Sequence, residues 1–219
     1  MARVFDPKNG VWRTVSALGD ILGLSVLWAV LCLPVVTIGP ATAALYFAVS
    51  RYVRPRQDGA YAAFFRSFRL NLKVGILTTL IALAVAAVIV ESCSLLLQMA
   101  NNGMEAAALM AVAAHIMALL AMGVLCYMFP ILGRFEHGVK SLLGTSFALA
   151  LSHLPTTLVL ALLHLEMITA CYRYWWPILF APAVTALLSS LFLERVFQKH
   201  MPPEEREEEE LEEGLSETE

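Results

Sequence analysis

The chain has 219 residues, of which 59% are apolar and 15% are charged, and its formal net charge is −3. Soluble globular domains contain roughly 45 to 50% apolar and about 25% charged residues. The composition therefore excludes an ordinary soluble domain and favours an integral membrane protein. We expect the lipid bilayer to be its main partner, and we expect no binding to nucleic acid.

The apolar residues are concentrated in long stretches. A transmembrane helix needs about 20 apolar residues to cross a hydrocarbon core roughly 30 Å thick. Five stretches reach this length, and they are residues 15–36, 74–99, 105–130, 142–165 and 174–197. A sixth stretch, residues 38–53, is shorter and has Gly39 and Pro40 near its start, so it either crosses the membrane or forms a re-entrant short helix.

The distribution of Lys and Arg decides between these alternatives, because short basic loops resist translocation and stay in the cytoplasm. If residues 38–53 cross, 14 of the 15 Lys and Arg lie on one side and only Arg173 lies on the other. Only helices and closed barrels satisfy the backbone in lipid. We therefore predict an all-α polytopic membrane bundle with six crossings, one domain over residues 1–201 and both termini in the cytoplasm. One alternative is five crossings plus a re-entrant short helix at 38–53. For the turn from Pro34 to Pro40, the alternative is a shallow hairpin, in which the first helix breaks within the membrane.

Residues 60–73, between the second and third spans, form a regular cytoplasmic segment. Arg66, Arg69 and Lys73 fall on one face of a helix drawn through it. The pattern predicts a basic amphipathic helix at the headgroup boundary, and the alternative is a docking surface for a partner. The apolar residues of the neighbouring face recur at a helical period and are Tyr61, Phe64, Phe65, Phe68 and Leu72.

Two predicted spans carry polar features. In the fourth, alanines spaced by three and four residues form a seam that lets another helix approach closely. In the fifth, hydroxyl and imidazole groups line one side. Polar groups avoid lipid, so three interpretations are open. They bond neighbouring helices and the carbonyl that Pro155 leaves without a donor, they line a cavity for a proton, ion or solute, or they contact another membrane protein. The candidate intramembrane polar site comprises Glu91, His115, Ser152, His153 and Thr157.

Enzymatic motifs are absent from the sequence. It contains no His-Glu-x-x-His zinc motif, no Gly-x-Ser-x-Gly turn and no glycine-rich phosphate loop, and its four cysteines are scattered singly. We therefore expect no enzyme activity, no cofactor and no metal site. Ten of the 18 acidic residues follow Pro202, so residues 202–219 are predicted to be a disordered tail, with docking on a basic surface as the alternative.

Several segments resemble the YesL family of bacterial membrane proteins. They are VFDPKNGVWR, LPVVTIGPATAALYFAV, FFRSFRLNLK, and FPILGRFEHGVKSLL followed by SHLPTTL. His137 and the Glu-rich tail depart from the family pattern. The resemblance implies a small multi-pass protein of the bacterial cell membrane, without an established biochemical activity and associated with carbohydrate-uptake ABC transporters.

The predicted function is that of a non-enzymatic accessory subunit or scaffold of a carbohydrate ABC importer, with permease subunits as partners. One alternative is a small stand-alone transporter or channel that uses the polar face around His153, and another is a membrane signalling component. The sequence predicts no oligomeric state. The candidate partner surface lies in the family-like cytoplasmic motifs and comprises Phe64, Phe65, Arg66, Arg69, Arg134 and Glu136.

Overall fold

The computed structural model describes residues 10–53, 59–134 and 138–200. Within these ranges all regular elements are helical, which confirms the all-α part of the predicted fold class. The acidic tail prediction lies outside the described residues. The seven helices are α1 (Gly10–Leu31), α2 (Ile38–Ala48), α3 (Ala60–Asn101), α4 (Glu105–Arg134), α5 (Val139–Ser152), α6 (Leu154–Tyr174) and α7 (Ala181–His200).

Helix α2 is the central element of the bundle. It packs against α1, α3, α4 and α7, and a π-helical turn, Val49–Val53, continues it. Small side chains let neighbouring helix backbones approach closely, which explains why so short a helix contacts four others. Its fully buried alanines are Ala41, Ala43, Ala44 and Ala48.

Two glycines set the closest approaches to α2. A Cβ atom at Gly39 would collide with the Thr79 hydroxyl and would lie 2.9 Å from the Gly75 carbonyl oxygen of α3. A Cβ atom at Gly133 of α4 would lie 2.5 Å from the carbonyl oxygen of Ala43. The segment PVVTIGPATAALY, which belongs to the family-like motifs, therefore supplies small residues on which this close packing depends.

Hydrogen bonds tie α1 to its neighbours. The indole Nε1 of Trp28 donates to the Thr42 hydroxyl of α2 at 3.1 Å. The backbone N–H of Ala183 in α7 donates to the Ser25 hydroxyl at 3.2 Å. Helix α1 thus connects the centre of the bundle to its last helix.

Helix α3 joins two predicted elements without interruption. Its 42 residues make it about 63 Å long at a rise of 1.5 Å per residue. It contains both the amphipathic segment 60–73 and the third predicted span. Its buried side is rotated from the predicted aromatic stripe: Ala63 and Phe64 are buried, whereas Tyr61 and Phe65 are 41% and 42% exposed.

Helix α2 lies alongside the first half of α3. At its start, the Gly39 N–H donates to the Thr79 hydroxyl at 3.0 Å, and past its end Val53 lies in the same buried cluster as Ala60. Residues 80–101 of α3 therefore extend beyond α2 by about 33 Å. The two helices are antiparallel, but they do not cover the same depth.

A tight turn reverses the chain between α3 and α4. Gly103 has φ of 89°, a left-handed conformation that glycine adopts without steric cost. Its N–H donates to the Ala100 carbonyl at 3.0 Å, and the Met104 N–H donates to the Met99 carbonyl at 3.2 Å. The third and fourth predicted spans therefore form a helical hairpin.

The fifth predicted span, 142–165, is divided between α5 and α6. His153 separates the two helices with φ of −124° and ψ of 50°. Pro155 causes the break, because it lacks the N–H that would bond the Leu151 carbonyl and its ring crowds the preceding turn. The sixth predicted span, 174–197, also begins later as a helix: Trp176–Leu179 form a 3₁₀ turn, and α7 starts at Ala181.

Three described helices, α3, α4 and α6, are long and apolar enough to cross a membrane. Shorter apolar segments occur in α1, α2 and α5. Large apolar side chains are exposed along the long helices, including Val88 and Leu109, as expected where helices face lipid. The structure thus supports a multi-pass membrane protein, and the count of six crossings stays a prediction.

Candidate functional site

A buried polar cluster joins α2, α4 and α7. The Tyr46 hydroxyl donates to Glu194 Oε1 at 3.0 Å, and the Arg134 guanidinium donates to Glu194 Oε2 in an ion pair. The side chains of Arg134 and Glu194 are only 5% and 15% exposed. The guanidinium carbon also lies 5.7 Å from the centre of the Phe197 ring. Three helices therefore meet at one carboxylate.

Local sequence explains how the cluster forms. Arg134 is the last residue of α4, where a cation interacts favourably with the helix dipole. Glu194 and Phe197 are three residues apart on α7, so their side chains lie on one side of that helix. A buried ion pair is costly to break because the remaining charge loses its counter-charge. This arrangement supports a structural role, in which the Glu194 carboxylate holds the three helices together.

The structure separates the residues that were predicted to form a partner surface. Phe64 is fully buried in a cluster with α1 and α2, so it does not lie on the surface. Arg134 belongs to the buried cluster. Phe65, Arg66 and Arg69 are exposed, and Glu136 lies outside the described residues.

Arg66, Arg69 and Lys73 form an exposed row on α3, which we name the basic stripe. The three residues are spaced by three and four positions, so their side chains are neighbours on one side of the helix. All three are exposed. Among the described residues, no ion pair joins any of them to an acidic group.

The polar residues of the fifth predicted span gather at the α5 to α6 break. The Thr157 hydroxyl donates to the Ala150 carbonyl at 2.7 Å, across the break, and lies 3.4 Å from the Tyr127 hydroxyl of α4. The Ser152 hydroxyl donates to the Ala148 carbonyl at 2.7 Å. His153 is half-buried at the break itself. The two hydroxyls are thus bonded to backbone carbonyls of α5.

Glu91 and His115 lie elsewhere, on the α3 to α4 hairpin. Each is ten residues from the helix end at the turn, so the two residues lie at a similar depth, about 15 Å from it. Both are exposed, and His115 Nδ1 lies 2.7 Å from the Ala111 carbonyl oxygen. Among the described residues, no hydrogen bond links them to each other or to the α5 to α6 break.

An apolar groove of about 480 Å³ runs between α3 and α4 beside His115. Ala107 and Ala111 of the predicted alanine seam are buried, whereas Ala108 is exposed. We name this feature the α3–α4 groove. Its lining includes Leu97, Ala100, Ala108, Ala111, Val112 and His115.

One further contact joins polar groups within the bundle. The Cys126 sulfur of α4 lies 3.5 Å from His164 Nδ1 of α6, which also lies 2.8 Å from the Leu160 carbonyl oxygen. In the part of the chain that the structure describes, no three His, Cys, Asp or Glu side chains are grouped so as to hold a metal ion.

Sequence reasoning missed Tyr46 and Glu194. Glu194 is an acidic residue within the sixth predicted span, and such a residue normally has a partner in the bundle interior. That signal indicates an ion pair with a basic residue near another helix end. It does not identify Arg134, which is 60 residues away in the chain.

Long apolar helices with polar groups bonded inside the bundle define the class of an α-helical integral membrane protein. Within it, residues 21–92 match a family described as "Protein of unknown function, DUF624". The matched residues run from α1 through most of α3 and include Tyr46. No curated protein and no solved structure matches the chain.

Proposed function

We propose that the protein is a non-enzymatic accessory subunit or scaffold of a carbohydrate ABC importer in the bacterial cell membrane. The family-like motifs support this assignment through the association that their resemblance implies. The observation that carries the proposal is the α3–α4 groove, because it offers another transmembrane helix a place to pack.

Both the size and the polarity of the groove suit a helix. Ala108 leaves the α4 backbone open to close approach, which is the usual basis of helix association in lipid. His115 is exposed beside it. Its Nδ1 already lies 2.7 Å from the Ala111 carbonyl oxygen, so the second ring nitrogen is the one that is unfavourable in lipid unless it bonds another group. A permease helix that fills the groove with side chains and bonds His115 satisfies both requirements.

Affinity purification in mild detergent from the native host tests this function. The variant Ala108→Leu fills the groove, and Ala113→Leu is its matched control, since both alanines are exposed on α4 and only Ala108 lines the groove. We expect permease subunits to co-purify with the wild type and the control. Their yield should fall about tenfold with Ala108→Leu, as for an overpacked contact that costs about 1.4 kcal/mol.

Two outcomes contradict the proposal. If the protein purifies without permease subunits at several detergent concentrations, it is not a stable accessory subunit. Equal co-purification by both alanine variants removes the groove as the contact. Solute movement by the purified chain alone in proteoliposomes, lost with His153→Leu, supports the stand-alone transporter alternative instead.

We also propose that both termini are cytoplasmic and that α1 and α2 form a shallow hairpin. In such a hairpin neither α1 nor α2 crosses completely. The position of α2 favours it over two complete crossings, because α2 begins beside Thr79 while α3 continues about 33 Å further. A hairpin that enters and returns on one side keeps the basic residues before α1 on the same side as the basic stripe. The charge bias is therefore preserved.

A further inference from the structure

The basic stripe is a concentration of positive charge that the described part of the protein leaves unneutralised. Neighbouring side chains three or four residues apart have Cβ atoms about 5 to 6 Å apart, so Arg66, Arg69 and Lys73 repel one another. Arg134 differs, because Glu194 neutralises it inside the bundle. An anion at the stripe would relieve the repulsion.

The same side of α3 continues as an apolar surface. Leu77 and Leu80 follow Lys73 by four and seven residues, which keeps them in line with the stripe. They are 49% and 46% exposed, and Ala84 beyond them is also exposed. Leu80 lies about 10 Å further along the helix than Lys73. The three basic side chains thus lie at one end of this exposed apolar surface, which we name the apolar track.

We propose that this side of α3 binds an anionic glycerophospholipid. Its phosphate contacts Arg69 and Lys73, with Arg66 adding charge, and an acyl chain lies along Leu77 and Leu80. A phospholipid has a phosphate and a hydrocarbon chain in the same order as the stripe and the leucines beyond it. Free phosphate would use only the charges, and an acidic protein segment would leave the apolar track uncovered.

The site is independent of the proposed accessory function. The α3–α4 groove lies toward the hairpin turn, near Leu97 and Ala108, whereas the basic stripe lies in the first third of α3. Basic residues near an anionic membrane surface contribute about 1 kcal/mol each. The structure adds a defined track for one lipid chain, so the attraction has a fixed place on the protein.

Native mass spectrometry of the full-length protein in detergent tests the site. Phosphatidylglycerol and phosphatidylcholine with identical acyl chains are added together, and the bound lipids are counted. The test variant is Arg69→Gln with Lys73→Gln. The matched control is Lys140→Gln with Arg173→Gln, which removes the same charge from two other exposed positions.

We expect the wild type and the control to prefer phosphatidylglycerol. The preference should fall about fivefold for each stripe charge removed, or about 25-fold in the double variant, from about 1 kcal/mol per basic residue. The charge-retaining variant Arg69→Lys should keep most of it, which separates lost binding from misfolding. Glycerol 3-phosphate should not displace the lipid, because it lacks an acyl chain.

Three results overturn the proposal. An unchanged preference in the double variant shows that the stripe does not hold the lipid. Displacement by glycerol 3-phosphate shows a site for free phosphate esters. Loss of a co-purified protein in the double variant, with lipid preference intact, shows that the stripe docks a protein.

Discussion

Arg66 and Arg134 are both basic residues near helix ends, yet their surroundings differ. Arg134 is enclosed and bonded to Glu194, with the Phe197 ring beside it. Arg66 is exposed. Because an exposed charge gives little stability on its own, substitutions at the two positions should affect different properties. We expect substitution of Arg134 to lower the stability of the bundle and substitution of Arg66 to change what its surface attracts.

Replacing Glu194 should therefore destabilise the fold. Glu194→Ala removes the carboxylate that neutralises Arg134, and breaking a buried pair in this way costs about 3 to 5 kcal/mol. The control is Glu166→Ala, an exposed glutamate on α6, which should change stability by less than about 0.5 kcal/mol. The measurement is the unfolding midpoint in detergent. Equal midpoints for the two variants would show that the ion pair is not structural.

Among the elements, α2 is packed closely against both α3 and α4. Small residues let α3 and α4 approach α2 so closely that a methyl group at Gly39 would collide with both helices. In contrast, a Cβ atom at Gly144 of α5 would meet no atom within 4 Å. The two glycines thus have opposite roles in their helices. One permits close packing, and the other only lowers helix propensity.

The substitution Gly39→Ala should separate α2 from α3. The new methyl group meets the Gly75 backbone carbonyl, which cannot rotate away as a side chain would. We expect a loss of about 1 to 3 kcal/mol, typical of overpacking. Gly144→Ala should be neutral or stabilising by up to about 1 kcal/mol. Thermal unfolding of the two variants in one detergent measures the difference, and a stable Gly39→Ala protein would refute the close contact.

For the whole molecule, the sequence predicted helices better than their arrangement. Apolar length was sufficient to place helices over the third and fourth predicted spans, because only helices satisfy the backbone in lipid. Pro155 also indicated a disturbance in the fifth span, and the structure breaks that span nearby. The position of α2 along α3 was not predictable, because hydropathy does not indicate which part of α3 a short helix contacts. The Arg134 to Glu194 pair was missed because the residues are distant in sequence.

Cysteine labelling decides how the first two helices meet the membrane. In a protein whose native cysteines are replaced by alanine, Val36→Cys marks the turn between α1 and α2, and Asn102→Cys marks the hairpin turn. A membrane-impermeant maleimide added to intact cells should label Asn102→Cys alone, because a shallow hairpin leaves Val36 short of the outer surface. Lys140→Cys should react only after permeabilisation, since it is cytoplasmic in both arrangements. Labelling of Val36→Cys from outside would show instead that α1 and α2 cross the membrane, as the charge distribution predicts for six spans.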